Sequence, residues 1–441
     1  MTAYILTNEE RELLEHFETQ GTATEARRAR IILMSATDTT TSEIAEAVDL
    51  STGQVRYWRR EWKKDRTGIF GDQTASDEEP APEAVETAET GAETVIEIEA
   101  EAEIETETAS SEAPQPGIDV PRLPLELAET AGIQVDDPMA EAARKVLLFH
   151  FERMLLHEPG SRLGEDIEAV HDMRVATRRM RSAFRLFKPF FNYTTIEPFV
   201  RDLRQTGRVL GDVRDLDVFM EKAQHFLADH PDTDLTPLFE AWEKRLYKAR
   251  QKLVRHLDSK SFARFVKRFN RFLNTPGMGA VPVPEDRVTA FQVRHLAPRM
   301  IYTRYEQVRA YETVLDNGDI TTLHALRIDF KRLRYTLEFF EHVLGPGASA
   351  VIKEIKGMQD HLGDLNDAEV AGIVLQEFVD DYNCEYSGIP LFMRPNINGV
   401  LDYAAARAAE KETLLESFPA AWQRFNRENV RRDLALAVSV L

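Results

Sequence analysis

The segment that most constrains this chain is His171 to Lys188, HDMRVATRRMRSAFRLFK. On an α-helix successive residues turn by about 100°. His171, Arg174, Arg178, Arg181 and Arg185 then fall on one stripe, while Met173, Met180, Phe184 and Phe187, with Ala176 and Ala183, fall on the other side. This is an amphipathic helix whose polar face is cationic. Asp172 is the only acid within it. Like charges at i,i+4 cost about 0.2–0.5 kcal/mol each, so the stripe calls for compensation, by acids on neighbouring helices or by an anionic ligand. Arg179 lies roughly 80–100° off the stripe and is expected to be exposed.

The chain then repeats itself. HALRIDFKRLRYTLEFF at 324–340 puts His324, Arg327, Lys331, Arg332 and Arg334 at the places of His171, Arg174, Arg178, Arg179 and Arg181. The last place differs: Glu338 stands where the first copy has Arg185. A second motif follows in the same order, LGDVRDLDV at 210–218 and LGDLNDAEV at 362–370. Two motifs at matching separation indicate an internal duplication. Two copies related by a pseudo-twofold are expected to line one basic groove.

HxxRVxxRRxR followed by LGxxRDxDV, duplicated, resembles the CHAD family, the conserved histidine α-helical domain, over about residues 137–441. The resemblance implies a compact all-helical bundle of two related halves. It also implies binding of inorganic polyphosphate, a linear polyanion, along a basic central channel. The residues themselves lead to a basic groove seeking an anion; the identity of the anion comes from the resemblance.

The net charge of −20 conceals this groove. Residues 68–121 hold sixteen acids and no Lys or Arg, which leaves only about −4 for everything else. From 71 to 136 the chain is rich in Glu, Ala, Thr and Pro, the composition of a disordered, self-repelling acidic linker. One expectation for this linker is that it occupies the basic groove when polyphosphate is scarce. The single cysteine, Cys384, permits no intrachain disulfide. The opening MTAYILTNEE lacks the basic-then-apolar pattern of a secretory leader, and no apolar run is long enough to span a bilayer. A cytoplasmic protein, associated with polyphosphate granules or the nucleoid, is expected.

Ahead of the linker, residues 1–70 read as a small helical domain. LTNEERELLEHF and TATEARRARIILMSA form two amphipathic helices. TTTSEIAEAVDLSTGQVRYWRREWKKD then gives a short helix, a turn at Asp49-Leu50-Ser51 and a basic helix. This order resembles a homeodomain-like helix-turn-helix, in which the second helix meets DNA. Thr52, Gln54 and Arg56 take the base-reading places, and Arg59 and Arg60 the phosphate-contacting ones.

Behind the linker, helix follows helix, in halves of about 137–274 and 287–441 joined by the Pro- and Gly-rich 275–286. The fold class is therefore all-α: a duplicated bundle preceded by a helix-turn-helix and a disordered linker. The long third helix of the bundle adds Arg201, Arg204 and Arg208 to the candidate polyphosphate contacts, and Lys353 and Lys356 recur at the first two places. The next helix adds Arg245, Lys248, Lys252 and Arg255. Gly211 and Gly363, inside helices, are expected to permit close approach of a neighbour. Asp215 and Asp367 are expected to orient arginines of the stripes, and pairing of this kind outweighs a metal site on Asp212, Asp215 and Asp217. The closing helices are expected near 397–417 and 419–440.

The sequence has no Gly-rich phosphate loop, no GxSxG elbow and no Cys-His metal spacing. A non-catalytic polyphosphate-binding protein with a DNA-binding head, and no cofactor or metal, is the expectation. The alternatives are an enzyme of polyphosphate or nucleoside phosphate turnover, and a DNA-binding regulator whose helical domain serves assembly. Single-strand nucleic acid fits the stripes less well, because they lack the aromatic platforms that stack bases.

Overall fold

The computed structural model describes residues 6–20, 23–37, 127–164, 166–315 and 319–441, with isolated positions at 39, 44, 47, 48, 55 and 62. Thr52, Gln54, Arg56, Arg59 and Arg60, and residues 71–126 of the expected linker, lie outside the described residues. The chain divides into two units, Met1–Thr87 and Ala88–Leu441.

In the first unit α1 (Asn8–Gln20) opens on a reciprocal cap. Thr7 Oγ1 accepts from Glu10 N at 3.2 Å, and Glu10 Oε2 accepts from Thr7 N at 2.8 Å, so two helix-end donors are satisfied at once. The second helix, α2, spans Ala23–Ser35. Leu14, Ala29, Ile31 and Ile32 share a core with Ile44, Val48, Val55 and Trp62, which come from the stretch read as a helix-turn-helix.

In the second unit the first half comprises α3 (Met139–Leu163), α4 (Ile167–Phe187), α5 (Tyr193–Asp229), α6 (Thr236–Leu257) and α7 (Lys260–Leu273). The second half comprises α8 (Val293–Arg309), α9 (Ile320–Phe340), α10 (Ala348–Glu385), α11 (Asn398–Phe425) and α12 (Glu428–Val438). Among the described residues there is no strand; two isolated bridges, Pro138 with Gln292 and Phe191 with Ala280, tie connections down. The basic helices α4 and α9 start on equivalent side-chain caps, Asp166 accepting from Glu168 N and Asp319 from Thr322 N. Such caps satisfy donors that the first turn leaves unpaired.

Sequential helices pack side by side in both halves, and the halves meet where α4 crosses α9 and α3 meets α8. One apolar core runs through both halves, from Ile133 to Val438. A smaller cluster at the far ends of α5 and α10, with Trp242 and Tyr403 from α6 and α11, joins the halves again. The 275–286 connection lies against the α4–α5 corner, with Asn192 N donating to Gly279 O at 2.8 Å and Val281 N to Phe190 O at 3.0 Å. Gly279 has φ +72°, and a Cβ there would fall 2.9 Å from Thr195 Cγ2. Glycine is required on both counts.

Two helix-level expectations change. Pro419 does not end a helix: α11 runs through it to Phe425, and the break comes at Asn426–Arg427. An interior proline costs about 3 kcal/mol, but continuing the helix buries Phe418, Ala421, Trp422 and Phe425, each large side chain contributing about 1.5–3 kcal/mol. Nor does Gly363 mark a close approach, since a Cβ there would meet nothing within 4 Å.

Candidate functional site

The apolar faces of α4 and α9 set the site. Met173, Ala176, Met180, Ala183, Phe184 and Phe187 are buried on one helix, and Leu323, Leu326, Phe330, Leu333, Leu337 and Phe340 on the other. Burying these residues turns both cationic stripes toward the seam between the halves. There the first stripe and two cations of the second line one pocket of about 240 Å³. It receives His171, Arg174, Arg178, Arg181 and Arg185 from α4, Arg214 and Asp215 from α5, Arg327 and Lys331 from α9, and Asp367 from α10. Val218, Phe219 and Val370 give it one apolar wall. Seven Lys and Arg side chains thus face two carboxylates.

Those two carboxylates are engaged already. Asp215 pairs with Arg174 at 3.3 Å, and Asp367 pairs at 3.0 Å with Lys222 of the other half. The buried Nε atoms of Arg178 and Arg327 have no hydrogen-bond acceptor among the described residues. Burial holds the Arg327 guanidinium below its ordinary range; Asp367 opposes this, and Arg178 and Arg174 add to it. His171 is likewise held below the usual imidazole range, first by burial and then by Arg214, against the pull of Glu168 and Asp172. It therefore stands neutral among the arginines. An anion entering the pocket would meet a lining in which cationic side chains outnumber carboxylates, and hydrogen bonds to charged donors of this kind are the strong ones.

The glycine that the site needs is Gly207 on α5. A Cβ there would lie 3.3 Å from Arg181 Nη1 and 3.6 Å from Thr177 Cγ2, so the missing side chain is what lets the Arg181 guanidinium lie against α5.

At the deep edge of the seam Arg178, Arg179 and Arg334 surround the buried Tyr335 ring, at 5.9, 5.6 and 5.2 Å from its centroid. Glu338 faces two of them, Arg179 at 3.0 Å and Arg334 at 3.4 Å. Arg179 is therefore not the exposed residue that its helical angle suggested. It is an inter-half ion pair, because the surface it faces is α9 rather than water.

The remaining sequence candidates stand elsewhere. His324 bonds Asn366 Oδ1 at 2.9 Å beside a second, apolar cavity. Arg201 is paired with Glu197 at 3.7 Å; Arg204 is exposed and Arg208 half-buried, neither lining the pocket. Arg245 faces Asp381 at 3.3 Å and Lys252 faces Asp212 at 2.8 Å. Arg255 borders a separate depression with Arg162 and Arg250, and Lys248, Lys353 and Lys356 are exposed. Asp212, Asp215 and Asp217 each turn to a different cation, Lys252, Arg174 and Arg250. Among the described residues no cluster of three His, Cys, Asp or Glu side chains is placed to hold a metal ion. The residue that sequence reasoning missed is Arg214. It sits in the second motif beside Asp215, where its partner in the repeat, Asn366, carries no charge.

Residues 145–376, which span both basic helices, match the CHAD domain. The chain belongs to the CHAD family. Residues 22–68 separately match a homeodomain-like domain. Uncharacterized proteins from two strains of Mycobacterium tuberculosis are each 27% identical over 245 residues, 53% of this chain and 45% of theirs. The chain thus spans less than half the length of these curated relatives. Among solved structures, the CHAD domain of the plant Ricinus communis aligns with a TM-score of 0.51 at 23% identity, over 70% of this chain and 97% of that one. PptA from Streptomyces chartreusis aligns with a TM-score of 0.50 at 14% identity, over 65% of this chain and all of that one. Both likenesses are of fold. No helix of the described residues is long and apolar enough to cross a membrane.

Proposed function

We propose that this CHAD protein binds inorganic polyphosphate in the pocket between α4 and α9, without turning it over, and that its N-terminal unit binds duplex DNA. The observation that carries the first part is the convergence of Arg174, Arg178, Arg181, Arg185, Arg327 and Lys331 on one cavity whose carboxylates are already paired. Guanidinium forks donate two parallel hydrogen bonds to phosphate oxygens. Along a helix the stripe advances about 5 Å per turn, so successive arginines meet successive phosphates of an extended polymer. The CHAD family's association with polyphosphate supports the same ligand, and the narrow inter-helix pocket favours a single chain over a duplex.

Isothermal titration of the whole protein with polyphosphate tests this reading; saturable, salt-sensitive binding is expected, with no phosphate released in the presence of Mg²⁺. Steady phosphate release would favour the turnover enzyme instead. Absence of binding would leave the helical domain an assembly module.

For the N-terminal unit, the homeodomain-like match over 22–68 supports DNA binding by Thr52, Gln54, Arg56, Arg59 and Arg60. The proposed division is 1–70, 71–136 and 137–441. Replacing Arg56, Arg59 and Arg60 with alanine in the whole chain is expected to weaken duplex binding and reduce its salt slope. Unchanged binding would favour a protein-docking role for this unit.

A further inference from the structure

The duplication places a second cavity beside the cationic one, and its chemistry is different. It measures about 260 Å³, and Leu323, Leu362, Leu365, Val370 and Ile373 supply most of its wall. Val370 also lines the cationic pocket, so the two spaces adjoin. Thr321, His324 and Asn366 provide its neutral polar groups, and Glu369, which also lines it, is paired with Lys411 at 2.9 Å.

His324 and Asn366 are the repeat counterparts of His171 and Arg214, which face each other in the cationic pocket. The second copy has therefore exchanged a guanidinium for a neutral amide and surrounded it with aliphatic side chains. Asn366 Oδ1 is engaged with His324 Nδ1 at 2.9 Å. Asn366 Nδ2 is buried and has no hydrogen-bond acceptor among the described residues. A buried amide donor without an acceptor is destabilising, a cost that a ligand carrying a neutral acceptor removes. Apolar walls with a few polar groups are the usual make-up of a small-molecule site.

We propose that this cavity receives the base of a nucleoside polyphosphate whose phosphates lie in the adjoining cationic pocket. The proposal rests on the reading of that pocket as a phosphate-chain site. Ring nitrogens and carbonyls of a base accept from Asn366 Nδ2, its faces lie against Leu365 and Ile373, and its phosphates run past Val370 toward Arg327 and Arg174. A bare phosphate chain gains nothing from an aliphatic cavity, so the second site distinguishes capped chains from uncapped ones.

The test compares ATP with inorganic tripolyphosphate, which has the same number of phosphates and more charge, by isothermal titration of the full chain without Mg²⁺. Charge alone predicts that tripolyphosphate binds tighter. The proposal predicts that ATP binds tighter by about tenfold or more. It also predicts that Ile373→Asp, at a position 41% exposed, abolishes that advantage and leaves tripolyphosphate affinity unchanged. ATP binding no tighter than tripolyphosphate, or an advantage that survives Ile373→Asp, overturns it. Long-chain polyphosphate run alongside separates the two readings: if it binds while ATP gains nothing, only the base site fails. If long-chain polyphosphate does not bind the folded protein, the cationic pocket reading and the base site fall together.

Discussion

Arg179 of the first half meets Glu338 of the second at 3.0 Å, and Glu338 is the one place where the second copy of the basic helix changes a cation of the first into an acid. Restoring the repeat at this position would put a third positive charge beside Arg179 and Arg334. The acid therefore closes the cationic seam electrostatically and holds the halves together at its deep edge. Both side chains are largely shielded, at 26% and 17% exposure. Glu338→Gln is expected to lower unfolding stability by about 1–3 kcal/mol, less than for a fully buried pair, as read from urea denaturation. Arg179→Ala should cost stability in the same way and leave polyphosphate affinity nearly unchanged. A large loss of affinity from Arg179→Ala would place it in the ligand site instead.

The two stripes are expected to act on one ligand. If six side chains each neutralise one phosphate, the log–log salt dependence should have a slope of about −4, at about −0.7 per contact for a single-stranded polyanion. Arg178→Glu combined with Arg181→Glu should nearly abolish binding while the helical circular dichroism signal is retained. Independent sites on α4 and α9 would leave half the stoichiometry at unchanged affinity in the titration, and that result would refute the shared pocket.

His150 supplies a pH dependence. It is 4% exposed and packs against Phe149 and Phe339. Burial, with Arg179 and Arg153 adding to it, pushes its imidazole down to about 3. The folded state thus keeps the ring neutral, whereas the unfolded chain protonates it near 6.5. The stabilisation is complete above pH 6.5 and is lost as pH falls toward 3, at about 1.4 kcal/mol per unit. Between pH 6.5 and 5 the protein should lose about 2 kcal/mol more than a His150→Phe variant. Equal acid sensitivity in the two proteins would show that the ring is not held neutral.

Gly363 lies inside α10 with open space where a side chain would begin. Gly363→Ala is therefore expected to stabilise the protein by about 0.5–1 kcal/mol through the backbone alone. Gly207→Ala, which forces a Cβ toward the Arg181 guanidinium, should instead weaken polyphosphate binding. Thermal melting and titration of the two variants check the contrast; destabilisation by Gly363→Ala would restore the close-approach reading of that glycine.

The sequence alone determined the all-helical fold, the duplication and the stripe from His171 to Arg185, because helical periodicity and repeat register are written in residue order. It also located Asp215 against an arginine of the stripe, since the two motifs recur together. Tertiary structure decided which faces look at each other. His171 and His324 are equal in sequence, yet one faces Arg214 in the cationic pocket and the other Asn366 in an apolar cavity. Arg179, off the stripe by helical angle, is covered by α9. Gly363 was read as a point of close approach and has open space around it, whereas the glycine that does permit one is Gly207, which residue order did not single out and which lies against Arg181 and Thr177. The physical reason is common to all of these. Helical geometry fixes directions about one axis, whereas charge compensation, desolvation and van der Waals contact depend on what a second helix brings within a few ångströms, and chain order does not specify that.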